Sequence, residues 1–330
     1  MLYPRYRWTV GTTQLDSGSD PVPGAGLSFS LAADLFVAVD SVVASFGAAK
    51  SNPASLGDVV RLELGYKDSG PFELVFTGRV TSIDASLTTT TVTAHGATDL
   101  LARLHLSLNY DSRTAGAIVS DLAGQAGVPV ATAKDGIDLP TFAVRRHRSA
   151  YEHVRALADL CGFDLYADPT GALVFAPFQG GRATHVMQYG AQILAFELEE
   201  RRPRAGRVEV WGESPGQADN QLAWAWLSRD FRPLLGKAGD DDPLRLLERP
   251  VVRTGAAAQA AADAALARLK RQTRQGQVRT LGRPEVRLGD AIELRGLPQS
   301  DANGKYQVRA VRHNLDKRRG FTTTVRFQGG

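Results

Sequence analysis

The stretch Leu56-Gly-Asp-Val-Val-Arg-Leu62 recurs near the other end of the chain as Leu288-Gly-Asp-Ala-Ile-Glu-Leu294. In each copy a Gly-Asp turn precedes alternating apolar and polar residues, the period of a half-buried β-strand. Leu-Gly-Asp turns are common in β proteins, so coincidence is the competing interpretation. Comparable strands follow each copy: Gly78-Arg-Val-Thr-Ser-Ile83 and Thr91-Val-Thr-Ala94 in the first, Tyr306-Gln-Val-Arg-Ala-Val311 and Thr324-Val-Arg-Phe327 in the second. A true repeat predicts two similar β-barrels in one chain.

Length and composition limit the class of protein. A chain of 330 residues predicts about two domains at roughly 150 residues each, and 43% hydrophobic with 22% charged residues excludes a largely disordered or collagen-like chain. The net charge of +4 is small for this length and does not by itself indicate nucleic-acid binding, which requires clustered charge. The single cysteine, Cys161, excludes an internal disulfide framework and a multi-cysteine zinc site.

The sequence carries no sign of secretion or membrane insertion. Pro4 and Arg5 stand where a secretory signal would place apolar residues. The most apolar stretch, 27–49, contains Asp34 and Asp40 and therefore cannot cross a bilayer. We expect a protein made and folded in the cytosol without a membrane anchor.

The first hundred residues are patterned as strands. Alternation and turn residues predict strands at Leu27–Leu31, Val59–Tyr66, Phe72–Ile83 and Thr88–Ala94. We therefore predict an antiparallel β-barrel or sandwich over residues 1–100.

The middle of the chain, 101–200, changes to an α/β pattern. Helical spacing predicts one helix over Thr114–Ala126 and a second over Ser149–Cys161, where Ser149 and Glu152 form a capping box and Gly162 ends the helix. Asp168-Pro-Thr-Gly171 predicts the turn of a hairpin.

Strand patterning returns over 201–330, which we predict as a second β-barrel with an added helix. Thr254 caps an alanine-rich helix from Gly255 to about Thr273. Its apolar stripe is mostly small, so its axis is expected to lie close to a neighbour. The strands predicted here are Arg207–Trp211, Ala291–Leu294, Tyr306–Val311 and Phe321–Phe327.

We find no catalytic or metal-binding pattern. The six histidines, His95, His105, His147, His153, His185 and His313, lack metal-ligand spacing. Cys161 lies on the apolar face of a helix, where burial makes a thiol inert. Nucleophile-elbow, Walker and dinucleotide motifs are absent from the sequence, and Asp240-Asp-Asp242 lacks the spaced oxygens of a calcium loop. We predict no catalytic, cofactor-binding or metal-binding residues and no cofactor.

Charged clusters offer weaker signals. Two basic clusters occur, one of Arg201, Arg202, Arg204 and Arg207, the other of Arg268, Lys270, Arg271, Arg274, Arg279 and Arg283. Solvated or subunit-facing surface is the favoured interpretation of both, because the aromatic residues of a base-stacking surface are missing. The dense carboxylates are Glu197, Glu199, Glu200 and Glu209, and most of them alternate along expected strands.

Several segments, in order along the chain, resemble the late control D family of contractile-tail baseplate hub proteins, which are related to the hub part of VgrG and to hubs of contractile injection systems. The matching segments are 76–83, 149–152, 157–166, 171–175, 189–196, 282–290, 294–297, 304–308, 312–313 and 320–323. Gly282-Arg-Pro-Glu-Val-Arg-Leu-Gly-Asp290 is the strongest of them.

This resemblance implies an α+β, mostly β fold: two tail-tube-like antiparallel β-barrels with an α/β unit between them. It implies a homotrimeric ring, structural and not enzymatic, in which six barrels join a six-fold tail tube to a three-fold spike. The implied partners are a second and third copy of the chain, a separate spike protein, tail-tube or tube-initiator proteins and other baseplate proteins. The chain stops at Phe327-Gln-Gly-Gly330 without a spike segment, so the spike is expected on another chain.

Two alternatives stay open. A tail-tip cell-wall hydrolase or peptidase would need a convergent acid–base or metal constellation. A DNA-binding β-barrel would show salt-sensitive binding, although specific recognition of nucleic acid is not expected.

Overall fold

The computed structural model describes residues 3–17, 26–47, 54–67, 70–212, 234–317 and 319–329. It is α+β and mostly β, which confirms the predicted fold class. The strands are β1 Pro4–Val10, β2 Thr13–Asp16, β3 Gly26–Asp34, β4 Ser41–Gly47, β5 Val59–Tyr66, β6 Glu73–Ala85, β7 Thr89–Gly96, β8 Leu108–Thr114, β9 Val130–Ala133, β10 Asp138–Val144, β11 Asp164–Ala167, β12 Leu173–Ala176, β13 Thr184–Gln188, β14 Ile193–Glu200, β15 Arg207–Gly212, β16 Leu235–Ala238, β17 Leu244–Arg249, β18 Arg274–Leu281, β19 Ala291–Arg295, β20 Gly304–Asp316 and β21 Gly320–Gly329. The helices are α1 Thr98–Arg103, α2 Ala115–Gln125, α3 Ala150–Cys161 and α4 Gly255–Arg271, with a 3-10 turn at Ser300–Ala302.

One sheet of 13 strands dominates the molecule. Its main path runs β14-β18-β21-β20-β3-β4-β7-β6-β5-β1-β2, and β19 and β13 continue from β20 on a branch. Most pairs are antiparallel, with parallel pairs at β13–β19, β9–β12 and β15–β17. The pairing of β20 with β3 joins strands from the two ends of the chain.

The predicted repeat is present in the strand registers. Val60 pairs with Gly78 in the first copy, and its equivalent Ile292 pairs with Tyr306 in the second. A register shift follows Val80 and another follows the equivalent Val308. Two stretches of sequence that share strand order, register and the position of a bulge are copies of one unit, because chance similarity of turns does not fix bulges.

A second part of the repeat lies outside the segments that the sequence identified. Leu27-Ser-Phe-Ser-Leu31 on β3 corresponds to Leu194-Ala-Phe-Glu-Leu198 on β14, and each is bulged at its first residues against the next strand. The first repeat is therefore β3 to β7, and the second repeat is β14 with β18 to β21. Both have the same strand order in the chain and in the sheet.

Each repeat encloses an apolar core with one face of its strands. The first core includes the buried Trp8, Phe29 and Leu62, and the second includes Val308 and Phe327. The β20–β21 hairpin contributes to both, because its far end places Leu315 and Phe321 in the first core. The two cores are thus fastened by a shared hairpin as well as by the β20–β3 ladder.

A third core contains all four helices, together with strands of the small sheets. Ser149 and Glu152 form the predicted capping box of α3, and Gly162 ends that helix at φ +70°. β13 and β14 join the sheet of the second repeat, whereas α4 and β15 pack into the core of α2 and α3.

The small side chains of the alanine stripe on α4 predict that this helix lies close to a neighbouring element, and it lies close to β16. A Cβ atom added to Gly236 on β16 would lie 2.0 Å from the carbonyl oxygen of Ala258. Backbone therefore contacts backbone at this point, which a larger residue on either element would prevent.

Candidate functional site

The main sheet has one continuous polar face. Along the eight strands from β14 to β6, side chains that point away from the cores are mostly serine, threonine, asparagine, glutamine and arginine. We call this surface the polar face; between β18 and β6 it comprises Gln277, Arg279, Thr322, Thr324, Arg326, Arg312, Asn314, Asp316, Ser28, Ser30, Ala32, Asp34, Ser41, Val43, Ser45, Thr89, Thr91, Thr93, His95, Ser82 and Asp84. The alternation that buries one face of each strand creates it.

Side chains of the two repeats meet on the polar face at the β20–β3 junction. Asn314 pairs with Ser30 in the ladder, and the Ser30 hydroxyl donates to Asn314 Oδ1 at 2.8 Å. The junction is therefore a bonded continuation of one sheet, and an open depression of about 770 Å³ lies over it.

Three arginines concentrate positive charge in this depression. Arg279 pairs with Thr324 on β21, and Thr324 pairs in turn with Arg312 on β20. The side chains of Arg279, Thr324 and Arg312 therefore lie in one row across the sheet. Arg326 lies two residues farther along β21. Within the described residues none of the three arginines has a carboxylate within salt-bridge distance, although Asp34 and Asp316 stand at the margins. Such a surface attracts anionic groups.

Within the described residues, the eight strands that carry the polar face have an open strand edge at each end, and β2, at the end of the main path, is likewise paired on one side only. In the described part of the chain β14 pairs with β18 alone. The second half of β6, Ser82–Ala85, pairs with β7 but not with β5, since β5 reaches only to Arg79. Unpaired edges of this kind are templates for another strand.

The structure does not assemble the acidic and basic clusters into a catalytic site or a basic patch. Glu197 and Glu199 lie on the edge strand β14, whereas Glu209 lies on β15 and faces Lys237 at 3.7 Å. Three of the six members of the second basic cluster have carboxylate partners, such as Arg268 with Asp159 at 2.9 Å. Arg274 pairs with Glu200 and Arg283 with Glu285 in the same cluster, and in the first cluster Arg201 pairs with Glu199 and Arg207 with Asp242. Arg279 is the member that points onto the polar face.

Burial strongly perturbs several titratable groups. Burial raises the pKa of Cys161 to about 11, as expected for an inert thiol, and raises the pKa of Asp40 to about 7. Burial also lowers the pKa of His313 to about 4, and its Nδ1 lies 2.9 Å from Thr323 Oγ1. His185 Nε2 lies 3.0 Å from Asp290 Oδ2. Among the described residues no three His, Cys, Asp or Glu side chains form a group that could hold a metal ion.

Sequence reasoning missed the polar face as a single surface and missed both open edges. A signal was available: the likeness of Leu27–Leu31 to Leu194–Leu198 identifies β14 as the counterpart of β3. Because β3 pairs with a strand on each side, this likeness predicts that β14 also pairs with a strand on each side.

Comparison with known proteins identifies the fold. No protein-family model matches the sequence, and no curated protein matches it. Among solved structures, the chain is similar to a 43 kDa tail protein of prophage MuSo2 from Shewanella oneidensis, with a TM-score of 0.73 and 13% identity over 98% of both chains. It is similar to a tail protein from Neisseria meningitidis, with a TM-score of 0.73 and 16% identity over 99% of this chain and 96% of the other.

A third similar structure is a component of the type VI secretion system of Escherichia coli, itself described as similar to the bacteriophage T4 tail proteins gp27 and gp5. Its TM-score is 0.61 at 11% identity, over 98% of this chain and 76% of the other. Across its described residues, the chain has no helix that is both long and apolar enough to span a bilayer. The chain therefore has the fold of phage tail proteins and of a related secretion-system component.

Proposed function

We propose that the protein is a structural baseplate hub of the late control D type, which forms a homotrimeric ring between a six-fold tail tube and a three-fold spike. The observation that carries this proposal is the pair of repeats joined edge to edge by β20 and β3. Three chains supply six such repeats, so one ring presents six similar units to a tube and three identical chains to a spike.

The proposed domains are a tube-like barrel at each end of the chain and an α/β unit that carries the helices. The polar face would line the bore of the ring, because the opposite face of the same strands is occupied by the two apolar cores. Tube, spike and other baseplate proteins are the proposed partners, assembled in the bacterial cytoplasm into a phage tail or injection particle.

The proposal is tested by the mass and symmetry of the assembled protein. Light scattering of the purified chain alone is expected to give three times the 35.5 kDa of one chain, and a mixture with tube and spike proteins is expected to give a heavier complex that contains three copies of it. Class averages from electron microscopy are expected to show six similar lobes. A chain that stays monomeric with both partners present contradicts the hub.

We propose no enzymatic role, since Glu209 lies on a different strand from Glu197 and Glu199, and the close pair of His185 and Asp290 is largely buried. Incubation with peptidoglycan, with and without chelator, is expected to release no soluble fragments. Release above the level of a buffer control would support the hydrolase alternative.

DNA binding is a second candidate function because Arg279, Arg312 and Arg326 have no carboxylate partner among the described residues. If these three arginines contact phosphates, the logarithm of the binding constant should fall with the logarithm of salt concentration with a slope of roughly −2.7, about −0.9 per contact. Replacement of all three by glutamine should then abolish binding. No binding at low salt excludes this candidate.

A further inference from the structure

We propose that residues 198–201, at the end of β14 in one copy, pair antiparallel with residues 82–85 of β6 in the next copy, in the register that β3 and β20 use within one chain. This contact rests on the ring proposed above and specifies the strands that close it.

The first step is the equivalence of the two repeats. Within a chain, the second half of β20 pairs with β3 from Ala310 with Asp34 to Asp316 with Ser28. The counterpart of β20 is β6, and the counterpart of β3 is β14. Within one chain β20 is paired with β3, which we call a filled junction. The counterpart edges, on β6 and β14, are not paired with each other among the described residues, and we call them the two halves of an unfilled junction.

The second step is that the two unfilled halves are not paired with each other in the described part of the chain. β14 is at one end of the eight-strand path and the free half of β6 is at the other. A second copy of the same chain carries both complementary edges, so the partner that these edges fit is another copy. Such a head-to-tail contact is heterologous, and it gives a closed ring when the rotation between copies closes and an open filament when it does not.

The third step fixes the register. The shared bulges align Ser82 with Ala310 and Leu31 with Leu198. Transfer of the β20–β3 pairing then gives four pairs between copies: Ser82 with Arg201, Ile83 with Glu200, Asp84 with Glu199, and Ala85 with Leu198.

Charge on the polar face is compatible with this register because of Arg201. Asp84 would lie directly opposite Glu199, an unfavourable pair by itself. Arg201 Nε already contacts Glu199 Oε1 at 2.6 Å and would lie diagonal to Asp84, within reach of a long side chain. Arg201 would then pair with both carboxylates, that of Glu199 in its own chain and that of Asp84 in the neighbouring copy.

Apolar side chains at the two edges also favour contact. Leu87, at the tip of the β6–β7 hairpin, is 98% exposed, and Leu194, at the bulge of β14, is 50% exposed. In the antiparallel register the hairpin tip runs towards the Leu194 end of β14. Association would remove both side chains from water.

The contact is tested by cysteine cross-linking of the full-length chain in a Cys161→Ser background. The test variant carries Asp84→Cys and Glu199→Cys. The positive control carries Arg312→Cys and Ala32→Cys, the equivalent pair inside one chain. The negative control carries Asp84→Cys and Ala195→Cys, which the register places four residues apart, roughly 13 Å. The cysteines are first oxidised to form disulfides. A short bis-methanethiosulfonate linker is then added, because it also joins cysteine pairs whose geometry does not suit a disulfide.

The test variant is expected to give covalent dimers and trimers and nothing larger, in at least tenfold greater yield than the negative control, while the positive control links within one chain. A trimeric native mass without cross-links in the test variant overturns this contact and leaves the hub standing. Covalent ladders longer than three chains uphold the contact and contradict the trimer. A monomeric chain without cross-links overturns the contact.

Discussion

The backbone N–H of Val308 donates to the carbonyl oxygen of Asp290 at 3.0 Å. In the other repeat, the N–H of Val80 donates to the carbonyl oxygen of Asp58 at 2.9 Å. Each bond joins a Gly-Asp turn to the strand residue that directly precedes the β-bulge. The turn and the bulge thus form one unit, and the chain contains that unit twice.

The glycines of these two turns are predicted to differ in their tolerance of substitution. Gly57 has φ +87° with open space around a Cβ atom, whereas a Cβ at Gly289, with φ +84°, would lie 2.1 Å from Tyr166 Oη. Gly57→Ala should lower the free energy of unfolding by about 1–2 kcal/mol through backbone strain alone. Gly289→Ala should lower it by about 2–4 kcal/mol, since overpacking adds to the strain. Urea denaturation measures both, and equal losses would contradict the crowding at Gly289.

Acid is predicted to destabilise the protein through His313. Its pKa of about 4 in the folded chain lies below the value of about 6.5 in the unfolded chain, so the unfolded state binds more protons between these values. The contribution of neutral His313 is complete above pH 6.5 and is lost as the pH falls to 4, at most about 3 kcal/mol. The stability of a His313→Gln variant should fall less over this range, whereas replacement of the exposed His147 by glutamine should leave the profile unchanged. Parallel profiles for wild type and His313→Gln would refute the assignment.

Asp40 is predicted to act in the opposite direction. Burial raises its pKa to about 7, so the folded state holds a proton that the unfolded state has released. Stability due to this group is present below about pH 4 and declines as the pH rises through 7, by up to about 4 kcal/mol.

The variant Asp40→Asn keeps an oxygen for the N–H of Asp34, which donates to Asp40 Oδ1 at 3.3 Å. It should be more stable than wild type at pH 8 and similar at pH 4. Thermal denaturation at the two pH values measures this, with the exposed Asp138→Asn as control. A variant that is less stable at both values would show that the carboxylate is ionised and bonded.

Contact of α4 with β16 predicts a contrast between two glycines. Gly236→Ala forces a methyl group into the Ala258 carbonyl and should cost about 2–4 kcal/mol. Gly255→Ala, at the first residue of α4 with open space around it, should be neutral or stabilising by up to about 1 kcal/mol. Denaturant midpoints compare the two. Little effect of Gly236→Ala would mean that the helix can move away from the strand.

The sequence by itself determined the local elements, because their signals lie within a few residues. Alternation located β5 and β6, a capping box located the start of α3, and Gly-Asp turns disclosed the repeat. These features follow from backbone geometry, side-chain period and hydrogen bonds to near neighbours, all of which are visible in a short window.

Only the tertiary structure decided which elements share a surface. Residues 28–34 and 310–316 pair although they are far apart in sequence, and this pairing makes one polar face from two repeats. It also leaves β14 and the second half of β6 as open edges, and it places α4 with α2 and α3 instead of with the second repeat. Strand register and helix packing depend on partners that sequence patterns do not name, since the same alternation fits many neighbours. The polar residues of the candidate site were therefore predictable one strand at a time, and their assembly into one surface was not.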